Sequence, residues 1–439
     1  MTHPLKAVMN IRRNELPFAV LMSSYFFLVI TSFWILKPIK KSVFLIFYDK
    51  TGFNLFGWLM KAAQAEQIAK VLNMVFAFIA VVVFTWLARR LRRQQLTFIF
   101  AVFCMIIYII YSLVINRPGD LTVWTFYLFG DLFNTLMVAT FFAFLNDSVT
   151  PEAAKRLYGL IVLGGVIGGA FGTAVLTVWI DRVPYSGWMW ICFGMAAAII
   201  VIAMAAGRIV AKNPPEAKIS QSPQDEAPKP TRNLALEGAK LVFRSRYLIA
   251  IVAIVGLYEI ASQTMNFQFS ATVTHYLDGP AIGQRIATMS AITNCIAMFV
   301  QLFLTSFIMT RFGLTTALMI LPVSMMLGST GFLVVPTLWM GSLLWPFDNT
   351  FNYSVNQSAR ETLYTPTTRD EKYKAKAFID MFVQRFAKVV AIGVSLAVTS
   401  IFAYFSSVRW LTLFTVAVIL LWIVAVRFGG RKFHEMTSS

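Results

Sequence analysis

Runs of about twenty consecutive apolar residues recur along the whole of this chain, and a run of that length is what a helix needs to cross a hydrocarbon core. Lipid offers the backbone no hydrogen-bond partners, so only helices and closed barrels can span it. Barrel strands alternate apolar and polar residues, whereas these runs are continuously apolar, which makes the spans helices. The charge content agrees. Only 13% of the 439 residues are charged, against roughly a quarter in a soluble domain. Forty Phe, 20 Met and 11 Trp suit a lipid-facing surface with aromatic belts at the interfaces. The fold class is an all-α membrane protein.

Twelve spans are expected, at 17–47, 67–88, 96–115, 121–146, 157–180, 188–210, 247–271, 286–310, 314–335, 338–358, 376–404 and 408–426. The first is unusually long and carries Pro38 inside it. Lys6, Arg12 and Arg13 precede it with no small-residue cleavage site after it, the pattern of a retained signal anchor. Between the sixth and seventh spans lies KNPPEAKISQSPQDEAPKPTRN, whose Pro, Ser and charges cannot support a packed core. The chain therefore reads as an N-terminal half of six helices (1–211), a cytoplasmic linker (212–240) and a C-terminal half of six helices (241–439). Loop cations orient it. Arg12, Arg13, Arg89, Arg90, Arg92, Arg93, Lys155, Arg156, the linker cations, Arg360, Arg369, Lys372, Lys374, Lys376, Arg427, Arg431 and Lys432 fall on one side. The positive-inside rule makes that side cytoplasmic, with both termini on it, in a multi-pass protein of a bacterial inner membrane. The net charge of +18 is spread over these short loops rather than one soluble face, so nucleic acid is not an expected partner. Two six-helix halves joined by a long linker resemble the architecture of the major facilitator superfamily.

Charge inside a span costs about 2.5–3.5 kcal/mol per residue on insertion scales, so it marks where function is to be sought. The first span carries Lys37, Lys40 and Lys41. Two readings stay open for them. Either the helix ends near Pro38 and the lysines snorkel to the interface, or they form a cationic wall of a polar cavity, as the apolar run VFLIFY beyond them suggests. The eleventh span carries Asp380, Gln384, Arg385 and Lys388, with Lys388 about 18 Å beyond Lys376 at 1.5 Å per residue. Asp131 lies in the fourth span on one face with Tyr127 and Asn134. Glu259 lies in the seventh with Gln263 and Asn266, and Asp348 opens a row with Asn349, Asn352 and Asn356 in the tenth. These acids either lock helices together as charge pairs or take part in transport. The candidate substrate-binding residues are Lys37, Lys40, Asp131, Asn134, Glu259, Gln263, Arg385 and Lys388. Their excess of cations favours a substrate with several negative charges, because Lys and Arg are the usual partners of phosphate oxygens.

Other chemistries find no support. Cys104, Cys192 and Cys295 sit in apolar runs and read as buried thiols without metal spacing or a disulfide. Gly164, Gly168 and Gly172 recur every fourth residue, the pattern of close helix packing. They lack the Gly-Lys-Ser/Thr ending of a phosphate loop. His3, His275 and His434 are terminal or loop residues. No enzyme motif, metal site or cofactor is expected.

Three blocks carry a resemblance to a known family. SFWILKPIKKSVFL at 32–45, FYLFGDLFNTLMVATFFAFLNDSVTPEAAKRLYGLI at 126–161 and SARETLYTPTTRDEKYKAKAFIDMF at 358–382 resemble segments of the bacterial and plastidic ATP/ADP translocases. That family transports nucleotides, with charged residues of its first, fourth, seventh and eleventh helices implicated. The resemblance implies such roles for Lys40 and the preceding Lys37, for Asp131 (one carbon shorter than the usual Glu) and for Lys388. In the seventh span the family's acid is replaced by Ser262 or Gln263, Glu259 lies one turn earlier, and Arg385 is an added cation. The resemblance is thus to a divergent member whose substrate is a nucleotide or another phosphorylated or organic anion.

Two functions follow. The first is a secondary active transporter that exchanges such an anion by alternating access, with the substrate held at the midplane between the helix-1, helix-4 and helix-11 charges. The second is a proton-coupled importer or exporter of an unrelated small molecule, siderophore- or drug-like, with Asp131 or Glu259 as proton carrier.

Overall fold

A computed structural model describes residues 15–212, 234–368, 371–401 and 404–438; Lys6, Arg12, Arg13, His3, the linker segment 213–233 and Arg369 lie outside the described residues. The helices are α1 Leu16–Tyr48, α2 Ala62–Arg90, α3 Arg93–Val114, α4 Asp120–Ser148, α5 Pro151–Trp179, α6 Tyr185–Lys212, α7 Leu234–Arg244 and α8 Arg246–Tyr276. They continue with α9 Pro280–Arg311, α10 Gly313–Val334, α11 338–362, α12 371–401 and α13 Tyr404–Ser438. A short hairpin of β1 Phe53–Leu55 and β2 Trp58–Met60 joins α1 to α2. Among the described residues, eleven helices are long and apolar enough to cross a membrane. The expected tenth span is present as α11, divided by a π turn at Asn352–Asn356. Further π turns interrupt α9 at Val300–Leu304 and α12 at Glu371–Ala375 and Ile379–Val383.

The second helix is inside-out relative to a helix on a soluble protein. At the start of α2, Gln64, Glu66 and Gln67 are buried, while Val75, Phe76, Phe78, Ile79, Val82 and Trp86 further along it are exposed. Polar groups turn inward because only other helices can satisfy them, and apolar side chains turn outward because lipid solvates them. The same logic corrects one expectation: Cys104 and Cys192 are buried, but Cys295 is exposed. A thiol is apolar enough to face lipid, so an apolar run does not reveal which of its sides is inside.

The chain divides into two compact units, residues 1–222 with 278–294 and residues 223–277 with 295–439. In the first, α1 is the central post. Along α5, a Cβ on Gly164, Gly168 or Gly172 would come within 2.4, 2.6 and 2.8 Å of the carbonyl oxygens of Ser23, Phe27 and Thr31. The expected small-residue stripe is therefore a helix-packing seam that brings two backbones together. Ser23 Oγ donates to Leu160 O at 3.1 Å and Thr31 Oγ1 to Gly168 O at 3.1 Å across the seam. At its foot, Arg156 Nη2 meets Glu15 Oε1 at 2.5 Å. On another side of α1, Phe26 stacks on Phe141 of α4 with centroids 4.5 Å apart. Residues 280–294 of α9 also pack here, where Gln284 Nε2 donates to Thr177 O at 3.2 Å. The division read from sequence had grouped that segment with the later spans.

In the second unit, Gln268 Nε2 of α8 donates to Thr412 Oγ1 of α13 at 2.8 Å and to Val408 O at 3.0 Å. The helix α7 covers residues assigned by sequence to the linker. Its apolar residues and its Glu237, 3.1 Å from Lys374 Nζ, dock it on the start of α12. In this way a short amphipathic helix gains the tertiary packing that its own length cannot supply.

Gly168→Ala is expected to destabilise the folded protein by about 1–3 kcal/mol, because the new methyl meets backbone that cannot step aside. Gly194→Ala, where a Cβ would meet nothing within 4 Å, is the matched control. Thermal unfolding in one detergent, with both variants in parallel, checks the difference.

Candidate functional site

The lysines of α1 set the first site. The helix does not stop at Pro38 but runs on to Tyr48, and Lys40 and Lys41 are each 5% exposed. Snorkelling from a helix end is therefore excluded, and each charge is met by another helix. Lys40 Nζ forms an ion pair with Asp131 of α4 and lies 4.5 Å from the centroid of the Tyr127 ring. Lys41 Nζ lies 3.3 Å from Glu66 Oε1 on α2, and Lys70 Nζ, one turn along α2, lies 3.5 Å from the same oxygen. Tyr127 OH donates to Glu66 Oε1 at 3.1 Å. Asn73 Nδ2 donates to Asp131 Oδ2. Lys37, half-buried, has its ammonium 4.5 Å from the Trp34 ring centroid and 5.6 Å from that of Phe33. Lys40, Lys41 and Lys70 contact Glu66 and Asp131, three lysines to two carboxylates, so the cluster holds more positive than negative charge. Asn134, half-buried on α4, makes no hydrogen bond to this cluster among the described residues.

Backbone approach makes room for it. A Cβ on Gly130 would lie 2.6 Å from Lys40 Cδ, so the lysine stem runs across the glycine before its ammonium turns to Asp131 on the next residue. The glycine matters here for the absence of a side chain.

The second unit carries a separate and more balanced set. Lys388 Nζ of α12 lies 3.5 Å from Glu259 Oε2 of α8, with the lysine side chain 36% exposed and the glutamate 11%. Ser262 Oγ, one turn on, donates at 2.6 Å to Asp348 Oδ2 of α11. Asn349 Nδ2 donates to Asp348 Oδ2 at 3.3 Å and to Trp345 O at 3.0 Å, and Asn356 Nδ2 to Asn352 Oδ1 at 3.1 Å. Gln263 and Arg385 are half-buried. On α12, Gln384 Nε2 donates to the exposed Asp380 at 3.0 Å. Of the sequence candidates, the structure thus brings together Lys40 with Asp131 and Glu259 with Lys388. The seventh-span substitution also gains a physical meaning. Glu259 meets the eleventh-span lysine from one turn earlier, and Ser262 serves a different acid.

Residues 27–359 match the family model described as the Major Facilitator Superfamily. The chain belongs to this superfamily. Residues 333–433 also match the model described as TLC ATP/ADP transporter, which overlaps the third of the sequence blocks and bears out the resemblance drawn from them. Among similar proteins, the ADP,ATP carrier protein 1, chloroplastic, of Arabidopsis thaliana is 21% identical over 357 residues, covering 72% of this chain and 56% of its own length. ADP,ATP carrier protein 1 of Chlamydia muridarum is 22% identical over 351 residues, covering 69% of this chain and 64% of its own. The alignments thus span less than two thirds of these relatives. Among solved structures, the nucleoside transporter NupG superposes with a TM-score of 0.62 at 14% identity, covering 95% of this chain and 99% of that one. A bacterial homologue of the human lysosomal transporter Spinster, inward-facing and unoccupied, gives 0.61 at 12% identity over 97% and 99%. At such identity these likenesses establish the fold alone. The matched families are transporters, not enzymes.

For this major facilitator protein, sequence reasoning missed Glu66 and Lys70. Starting the second span at 67 left Glu66 in a loop, whereas α2 begins at Ala62. The signal was present: Glu66, Lys70 and Asn73 recur at i, i+4 and i+7 and so share one helix face.

The Lys40–Asp131 pair is expected to be asymmetric in its contribution to stability. Asp131→Ala strands a buried cation and is expected to cost about 3–5 kcal/mol. Lys40→Met leaves a carboxylate side chain that is 35% exposed and still bonded to Asn73, so it should cost distinctly less. Thermal melts of both variants and of the double variant, which should recover part of the Asp131→Ala loss, check this order.

Proposed function

We propose that the chain is a secondary active transporter that exchanges a nucleotide, or another phosphorylated anion, across the membrane by alternating access. The observation that carries the reading is the cation excess of the first unit, where Lys40, Lys41 and Lys70 meet two carboxylates and Lys37 adds a fourth ammonium on the same helix as Lys40 and Lys41. A cation excess inside a membrane protein is costly until an anion joins it, so the cluster favours an anionic ligand. The ion pairs suit repeated use. An arriving phosphate competes with Asp131 for Lys40 or with Glu259 for Lys388, and the pairs re-form when it leaves. The Tyr127 and Trp34 rings, buried against the Lys40 and Lys37 ammoniums, stabilise these cations beside the ion pairs. The similarity to ADP,ATP carrier proteins of chloroplasts and Chlamydia supports a nucleotide as the anion.

The proton-coupled alternative makes Asp131 or Glu259 the proton carrier. Each of those carboxylates is salt-bridged to a lysine, for which an anion competes directly and a proton only by breaking the bridge. The exchange reading is therefore the better supported. We further propose a cytoplasmic-membrane location with both termini inside, on the strength of the basic loops after α2 and before α12.

Proteoliposomes loaded with unlabelled ADP are expected to take up labelled ATP or ADP faster than empty ones. Lys40→Gln and Lys388→Gln should each lower that rate by about tenfold or more, equivalent to at least 1.4 kcal/mol in the transport barrier. Uptake indifferent to internal anion would sink the exchange reading. Fusion of reporter enzymes active on only one side of the membrane after Arg90 and after Arg182 should give opposite signals, cytoplasmic for the first. Equal signals would overturn the proposed orientation.

A further inference from the structure

Glu66 is not accounted for by the roles assigned above. Its side chain is 1% exposed, and three donors from three helices converge on its single oxygen Oε1: Lys41 Nζ of α1 at 3.3 Å, Lys70 Nζ of α2 at 3.5 Å and Tyr127 OH of α4 at 3.1 Å. A structural salt bridge needs one partner. Three donors focused on one oxygen instead resemble the shell that binds an oxyanion. Both lysine contacts are also long for charge-assisted hydrogen bonds, which run about 2.7–2.9 Å. The carboxylate is therefore held loosely by groups able to close more tightly on something else. Charge points the same way, since two ammoniums face one carboxylate charge. A terminal phosphate carries up to about two negative charges and three acceptor oxygens, and so matches the two lysines where a carboxylate does not. The Lys70 side chain, at 15% exposure, is the least buried of the two lysines and the acid, and marks the edge by which an anion enters.

From this geometry we infer that Lys41 and Lys70 form a second anion subsite, separate from the Lys40–Asp131 pair, which takes a phosphate group of the substrate and which Glu66 fills when no substrate is bound. The inference rests on the anion-transport reading and deepens it. Glu66 is an internal stand-in for the substrate anion, displaced when phosphate binds and returned when it leaves. It keeps two buried cations neutralised in part between substrates, and it sets a threshold that a weak or singly charged anion does not pass. The subsite thus selects phosphates over carboxylates.

The test is pyrophosphate binding to the purified full chain in lipid nanodiscs, followed by titration calorimetry. Glu66→Gln removes the competing charge, so the pyrophosphate Kd is expected to fall about tenfold, or 1.4 kcal/mol. Lys70→Gln is expected to raise it by at least as much. Acetate affinity should change far less in either variant. If Glu66→Gln does not fold, Glu66→Asp withdraws the carboxylate by one methylene and should tighten pyrophosphate to a smaller degree. An unchanged or weaker pyrophosphate affinity in a folded Glu66 variant overturns the subsite, as does pyrophosphate binding to neither protein. Failure of the parent reading looks different. Wild-type protein that binds pyrophosphate in a Glu66-dependent way but exchanges no anion refutes transport and leaves the subsite standing. Nucleotide exchange by the wild type, with a pyrophosphate Kd indifferent to Glu66, refutes the subsite and leaves transport standing.

Discussion

Lipid supplies neither water nor counter-ions, so a charge placed on a membrane helix must be answered by another helix. The lysines of α1 show how much follows from this requirement. Lys40 and Lys41 are adjacent, and adjacent residues on a helix point about 100° apart. They therefore cannot share one counter-ion, and they draw on two different neighbours. Lys40 takes Asp131 from α4 and Lys41 takes Glu66 from α2. Tyr127 closes the arrangement, with its hydroxyl on Glu66 and its ring against Lys40. Three helices are locked in register by side chains that a soluble protein would leave in solvent.

That lock needs a rigid mount. On another side, α1 lies against the glycines of α5 so closely that three successive turns have no space for a methyl group. Dispersion and hydroxyl-to-carbonyl bonds hold this seam, since no hydrophobic drive separates helix from lipid. The result is a post fixed along one face by shape and along another by charge. Ligand exchange can then disturb the charges while the seam holds.

The two units differ in their electrostatics. The first holds three lysines against two carboxylates, whereas in the second Lys388 is met by Glu259 and Asp348 is held by Ser262 and Asn349. The cationic character expected of the whole cavity is thus concentrated in the first unit. The second unit pairs Lys388 with Glu259 one to one, while the first leaves a cation in excess. The π turns within α9, α11 and α12 widen these helices locally; that of α11 contains Asn352 and Asn356, and one in α12 ends at Val383, next to Gln384.

The apolar spans and the lysines of α1 and α12 were legible in the sequence because each is a local property. Hydropathy over twenty residues is summed along one helix and tested against a uniform solvent, so no knowledge of neighbours is needed. The glycine ladder was legible for the same reason. The sequence alone did not reveal which acid answers which lysine, that Glu66 and Lys70 join Lys41 in one cluster, that Cys295 is exposed, or that 234–244 is a docked helix. Each depends on which helix lies beside which, and the bilayer imposes the same inside-out pattern on many such arrangements. Close packing against α5 and the separate demands of Lys40 and Lys41 select among them, and those are contacts between residues as far apart in the chain as Ser23 and Gly164.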